Sequence, residues 1–107
     1  MKIYISGPIT GTIDALERFE RAEKELLKRG HEVINPQRIG SELPERTEHW
    51  QFMTLSIVLM GFCDGVLFLS GWERSKGCRE EMERAQELMM SIFFEGGRGE
   101  VEEDKGL

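Results

Sequence analysis

The sequence predicts an α/β domain, a small parallel sheet of about four strands held between helices as a three-layer α/β/α sandwich. Three observations lead there. Short runs rich in β-branched and apolar residues, Lys2-Ile3-Tyr4-Ile5-Ser6, His31-Glu32-Val33-Ile34 and Gly65-Val66-Leu67-Phe68-Leu69, alternate with longer stretches whose apolar residues recur every three or four positions. Gly and Pro punctuate the junctions between them. The run from Gly65 is apolar without interruption, which suits a strand covered on both faces. Strands alternating with helices imply parallel pairing and right-handed crossovers.

The first strand stops at Gly7-Pro8, a pair that does not readily continue it. Ala15, Phe19, Ala22 and Leu26 then recur at four, three and four, while Glu17, Arg18, Glu20, Arg21, Glu23, Lys24 and Glu25 form a solvated face. This predicts an amphipathic helix ended by Gly30. The second strand closes at Asn35-Pro36, because proline pushes the residue before it out of helical geometry. Residues 37–47, with Gly40 and Pro44, show no period and are expected to form a loop. From about Glu48, Trp50, Met53, Ile57 and Met60 at three, four and three predict a second helix ending near Gly61.

Asp64 opens the third strand, expected to be central. After a turn over residues 70–75, Cys78, Met82, Ala85, Met89 and Ile92 keep helical spacing, but Ser91-Ile92-Phe93-Phe94 is read in preference as a short fourth strand. From Glu95 the chain is rich in Gly and Glu, with almost nothing to bury, and a disordered acidic tail is expected over 95–107. The domain is thus assigned to residues 1–94, with no internal repeat.

A chain of 107 residues with 39% hydrophobic content supports one modest core and leaves no room for a second domain. So small a domain buries a limited share of its surface, so a homodimer or higher homo-oligomer is expected to complete any deep pocket. The formal charge of -6 and the lack of a dense basic block disfavour a nucleic-acid polymer as partner. They leave room for a small anion held by backbone N–H groups at a helix terminus. Cys63 and Cys78 lack metal-ligand spacing and disulfide density, and read as reduced core thiols. With a strand at the start of the chain and no apolar run of membrane-spanning length, the expectation is a cytoplasmic protein without a membrane partner.

In parallel sheets ligands bind beyond the carboxyl ends of the strands, here residues 6–11, 35–40 and 70–77. Ser6-Gly7-Pro8-Ile9-Thr10-Gly11-Thr12 serves equally as an anion cradle or as a tight turn with Thr12 capping the next helix. Trp72-Glu73-Arg74-Ser75-Lys76-Gly77-Cys78-Arg79-Glu80-Glu81 crowds hydroxyl, cation and carboxylate at a helix start. There, too, Ser75 as cap and acidic residues against the macrodipole form the competing account. His31 and His49 stand without partners at ligand spacing and read as structural or exposed. Trp50 and Met53, Met60, Met82 and Met89 read as core or subunit-interface residues, whereas Trp72, on the rim, is a candidate for stacking on a base.

Taken jointly, Ile3-Tyr4-Ile5-Ser6-Gly7-Pro8-Ile9, Cys63-Asp64-Gly65-Val66, and Gly71-Trp72-Glu73-Arg74-Ser75-Lys76-Gly77 with Glu81 and Ala85 resemble the nucleoside 2-deoxyribosyltransferase-like superfamily. The match is closest to its small bacterial and phage branch and spans about residues 1–94. The resemblance implies a flavodoxin/Rossmann-like sandwich and an enzyme of N-glycosidic bonds, acting on (deoxy)nucleosides or their 5′-monophosphates as transferase or N-hydrolase. It implies no metal or organic cofactor. A nucleotide-binding module that has kept the pocket and lost the reaction is the competing expectation.

In that superfamily a Ser/Thr-x-Gly segment precedes a nucleophilic Glu at fixed distance, and Ser75-Lys76-Gly77 implies Glu81 for this role, not Glu80. Successive residues of a helix point ~100° apart, so the two cannot enter one pocket alike. A carboxylate there stabilises or captures the oxocarbenium-like centre left as the base departs, and is expected to be ionised under the positive end of its own helix. The resemblance further implies Tyr4 as the group orienting the nucleophile and Asp64 as an acidic residue shaping the site. Ser6, Gly7, Pro8, Ile9, Ser75 and Gly77 fall in segments that hold the sugar or its phosphate, with the serine supplied by the neighbouring subunit in the N-hydrolases. The transferases carry an aspartate shortly before the nucleophile, thought to protonate the base; here only Glu73 stands nearby, where pairing with Arg74 is an equal reading. Thr10 replaces the first-loop Arg of the phosphate hydrolases, which argues against strong 5′-phosphate preference.

Overall fold

Alternation along the first strand puts Ile3 and Ile5 on one face of the sheet and Tyr4 and Ser6 on the other, and the helices are arranged around this division. The computed structural model describes residues 1–9, 13–96 and 101–103, the last three by their backbone course. Strands β1 (Lys2–Ser6), β2 (Glu32–Ile34), β3 (Gly65–Phe68) and β4 (Ser91–Glu95) run parallel, and β5 (Val101–Glu103) pairs antiparallel to β4. The order across the sheet is β2-β1-β3-β4-β5. Every position of β3 is buried, as its uninterrupted apolar run demands.

Helix α1 (Ala15–Lys28) lays Phe19, Ala22 and Leu26 against Ile3, Ile5, Leu67 and Leu69. On the opposite face, α3 (His49–Met60) and α4 (Lys76–Glu87) close over Tyr4, Val66, Phe68 and Ile92, with Met60 and Ala85 in the same cluster. This is the three-layer sandwich that the sequence predicts. Among the described residues no helix is long and apolar enough to cross a membrane.

Three elements depart from expectation. The loop assigned to residues 37–47 begins instead with a short helix, α2 (Pro36–Gly40). Asn35 caps it by accepting from the Gln37 amide at 3.0 Å, and Pro36 occupies the first helical position, where its missing N–H costs nothing. Five residues are too few to display a period. Helix α4 stops before Met89, which takes φ 52° and is 90% exposed, so Met89 is no core residue.

The tail reading is corrected as well. Glu95 belongs to β4, and Val101–Glu103 forms a strand through backbone pairing, which asks for no apolar side chains. Glu95 accepts from the Ser70 amide at 2.9 Å and pairs with Arg18 at 3.3 Å, fastening the end of β4 to the loop after β3. Residues 97–100 and 104–107 lie outside the described residues, as do Thr10 and the cap assigned to Thr12. Along α3, Met53 and Met60 are buried, whereas Trp50, Ile57 and Val58 are exposed on its outer side and Phe52 is exposed at the cavity wall.

Candidate functional site

The site begins where β1 and β3 end. Leu69 donates its amide to the Ser6 carbonyl at 2.8 Å, and a Cβ on Gly7 would stand 2.8 Å from Leu69 Cδ1, so only glycine lets the two exits run this close. Gly71, at φ 88°, turns the chain after β3 into a single 3-10 turn, Trp72–Arg74. Ser75 then caps α4 by accepting from the Cys78 amide at 3.3 Å. From that start Cys78, Glu81 and Ala85 form the buried stripe of α4.

Glu81, 6% exposed, therefore meets the face of β1 that carries Tyr4 and Ser6. Tyr4 donates its hydroxyl to Oε2 at 2.6 Å, and Ser6 donates to Oε1 at 2.7 Å. Ser56 of α3 brings a third hydroxyl to the tyrosine and the carboxylate. Glu80 points elsewhere, into an ion pair with His49 Nε2 at 3.5 Å.

Burial pushes the Glu81 carboxyl above the ordinary carboxylate value, and the hydroxyl donors from Tyr4, Ser6 and Ser56 pull it part of the way back. The helix terminus is thus not what sets its titration. Glu81 is the sixth residue of α4, beyond the first turn over which the dipole acts, and desolvation outweighs it. Burial and the neighbouring Glu81 carboxylate hold the Tyr4 phenol well above its usual value, so it stays a proton donor. Burial also raises the Cys78 thiol.

Above this group opens a cavity of about 890 Å³, walled by Gly7, Pro8 and Ile9 after β1, by residues of α2 and α3, and by Ser75, Gly77 and Glu81 of α4. Tyr4 reaches its floor, while Ser6 lies buried beneath, bonded to Glu81. Arg18, Arg74 and Lys76 bring positive charge to its walls. Among the described residues no group of three or more His, Cys, Asp or Glu side chains is placed to hold a metal ion.

A family profile described as a domain of unknown function, DUF4406, matches residues 1–94. The chain belongs to the DUF4406 family. No curated protein matches it.

Three residues expected at the site of this DUF4406 domain are not there. Asp64 precedes β3 and so stands at the amino end of a parallel sheet, opposite the cavity, where its carboxylate accepts from the Lys2 amide at 2.8 Å. Trp72 does not line the cavity; it packs on Phe68 and Phe94, with ring centroids 5.2 and 6.0 Å away. Glu73 is exposed and also absent from the lining, and its carbonyl accepts from Arg79 at 2.8 Å.

Two residues that line the cavity are not assigned to a site by the sequence: His49, which reads there as structural or exposed, and Ser56, which is not singled out. His49 and Ser56 share a stripe of α3 with Met53 and Met60, at spacings of four, three and four. Phasing the helix on 49-53-56-60, instead of 50-53-57-60, turns both toward the cavity and exposes Trp50 and Ile57, as observed. Apolar residues are spread around this helix and its polar ones form no single face, so amphipathicity could not choose between the phases.

Proposed function

We propose that this DUF4406 domain cleaves or exchanges the N-glycosidic bond of a (deoxy)nucleoside or its 5′-monophosphate, with Glu81 as the nucleophile. One observation carries the reading: a buried carboxylate, both of whose oxygens are held by the strand hydroxyls Tyr4 and Ser6, lines a cavity large enough for a nucleotide. A structural glutamate gains nothing from burial beside a ligand-sized opening, whereas a nucleophile needs that dry, oriented setting.

In the proposed reaction a Glu81 oxygen attacks C1′ while the C1′–N bond breaks and its electron pair leaves with the base. The glycosyl ester so formed is opened by water, giving hydrolysis, or by a second base, giving transfer. Tyr4 and Ser6 fix the carboxylate and stabilise its ionised form. Backbone around Gly7, Pro8, Ile9 and Gly77 receives the sugar, and Arg18, Arg74 and Lys76 offer charge to a phosphate. This chemistry uses protein side chains alone.

A second copy would cover Trp50, Ile57 and Val58, exposed on the outer side of α3, and this supports the reading as a homo-oligomer. The free thiols of Cys63 and Cys78 support a cytoplasmic setting. Incubation with deoxynucleosides, their 5′-monophosphates and free bases, followed by chromatography, tests the function. Free base marks hydrolysis and exchanged base marks transfer. Glu81→Ala abolishes either, and binding without products replaces the enzyme reading by that of a nucleotide-binding module.

A further inference from the structure

His49 sits at the first position of α3, and its ring lies over Gly77 of α4. A Cβ added to Gly77 would stand 3.4 Å from Met53 Sδ, 3.7 Å from His49 Cε1 and 3.9 Å from Ser75 Oγ, so the imidazole packs beside the start of α4 at the cavity wall. Its Nε2 lies 3.5 Å from Glu80 Oε2. Gly77 and Glu81 share one face of α4, and four residues of helix rise about 6 Å. The imidazole and the Glu81 carboxylate thus line the same cavity, on which paired groups can work on either side of a glycosidic carbon.

The other titratable groups on the cavity wall are committed elsewhere. Tyr4 is bonded to Glu81, and Cys78 shares the carboxylate's side of the pocket beneath Ser6 and Ser75. Arg18, Arg74 and Lys76 are cations that offer charge to an anionic ligand. Histidine is the side chain whose ordinary titration spans neutrality, and a carboxylate on one ring nitrogen leaves the other to exchange a proton with a ligand.

We infer that His49, held by Glu80, protonates the departing base; the inference rests on the glycosidic reading of the site. As Glu81 bonds to C1′, the C1′–N electron pair passes to the base, and the imidazolium gives its proton to a ring nitrogen or carbonyl oxygen of that base. Neutral base and neutral imidazole result. The imidazole then takes a proton from the water that attacks C1′, which frees Glu81 and restores the imidazolium.

The test compares wild type and His49→Gln on the best-cleaved nucleoside or monophosphate and on a counterpart whose base leaves without help: N7-methylated for a purine, 5-fluorinated for a pyrimidine. His49→Gln is expected to lose ~10²–10⁴-fold in kcat on the ordinary base and far less on the activated one. Glu80→Gln shifts the same ratio in the same direction by a smaller factor. Cleavage of the activated substrate shows in the same assay that the variant is folded. Equal losses on both substrates, or none on the ordinary one, overturn the assignment of His49 while the glycosidic reading stands. A wild type that releases no base from any substrate overturns both.

Discussion

The Tyr4 hydroxyl stands 2.6 Å from Oε2 of Glu81, joining the first strand to α4 across 77 positions of sequence. Ser6, two residues further along the same face of β1, holds the other carboxylate oxygen. Neither contact is reproducible by a residue on α4 itself, because both donors come from the sheet that the helix covers. Tyr4→Phe keeps the ring and removes the donor. It is expected to cost about 1–3 kcal/mol in denaturant unfolding, and a loss of that size from the transition state slows turnover by about one to two decades. Unchanged stability and kcat would mean that this bond does not hold the carboxylate.

A pH dependence follows from the burial of Glu81. Its carboxyl is raised above 4.5, so folding favours the protonated form. That stabilisation is complete below the ordinary value and is lost as pH rises through the raised one. Glu81→Gln cannot ionise, and its Tm relative to wild type is expected to climb as pH rises from about 4 into the neutral range, whatever constant offset the amide brings. Calorimetry across that range decides it: a difference that falls with pH contradicts the shift. Turnover, which needs the ionised form, is expected to rise over the acid part of the range.

Gly7→Ala directs a methyl group onto Leu69 Cδ1 at 2.8 Å. Overpacking of this kind costs about 1–3 kcal/mol. Leu69→Ala removes the obstacle, so the double variant is expected to be more stable than the sum of the single losses allows. Strict additivity in that cycle would show that the two chain exits are not pressed together.

Trp72 and Glu73 separate packing from ligand contact. Trp72→Ala removes a ring from the cluster with Phe68 and Phe94 and is expected to cost about 3 kcal/mol, the lower end for an aromatic ring because this one is half-buried. Its KM should stay that of wild type at temperatures where it is folded. Glu73→Gln should alter neither stability, beyond about 0.5 kcal/mol, nor turnover. A raised KM for either variant would return these residues to the site.

Much of this arrangement is local in origin and legible in the chain. Alternation in Lys2–Ser6, the unbroken apolar run of Gly65–Phe68 and the four-three-four spacing in Ala15–Lys28 dictate strand and helix type, and their alternation dictates a parallel sheet. The 3.6-residue period likewise turns Glu81 and Glu80 to different sides. Other features were decided only by packing. Asp64 and Trp72 sit in segments that look functional in sequence, yet strand direction sends one to the wrong end of the sheet and an aromatic cluster takes the other. The phase of α3 belongs to the same class: a helix whose apolar residues run all round it carries no clear preference of its own, and the sheet surface beneath selects the stripe that brings His49 and Ser56 to the cavity. The upward shift of the Glu81 carboxyl is decided there too, because desolvation depends on what surrounds a carboxyl in space, and no spacing along the chain encodes that.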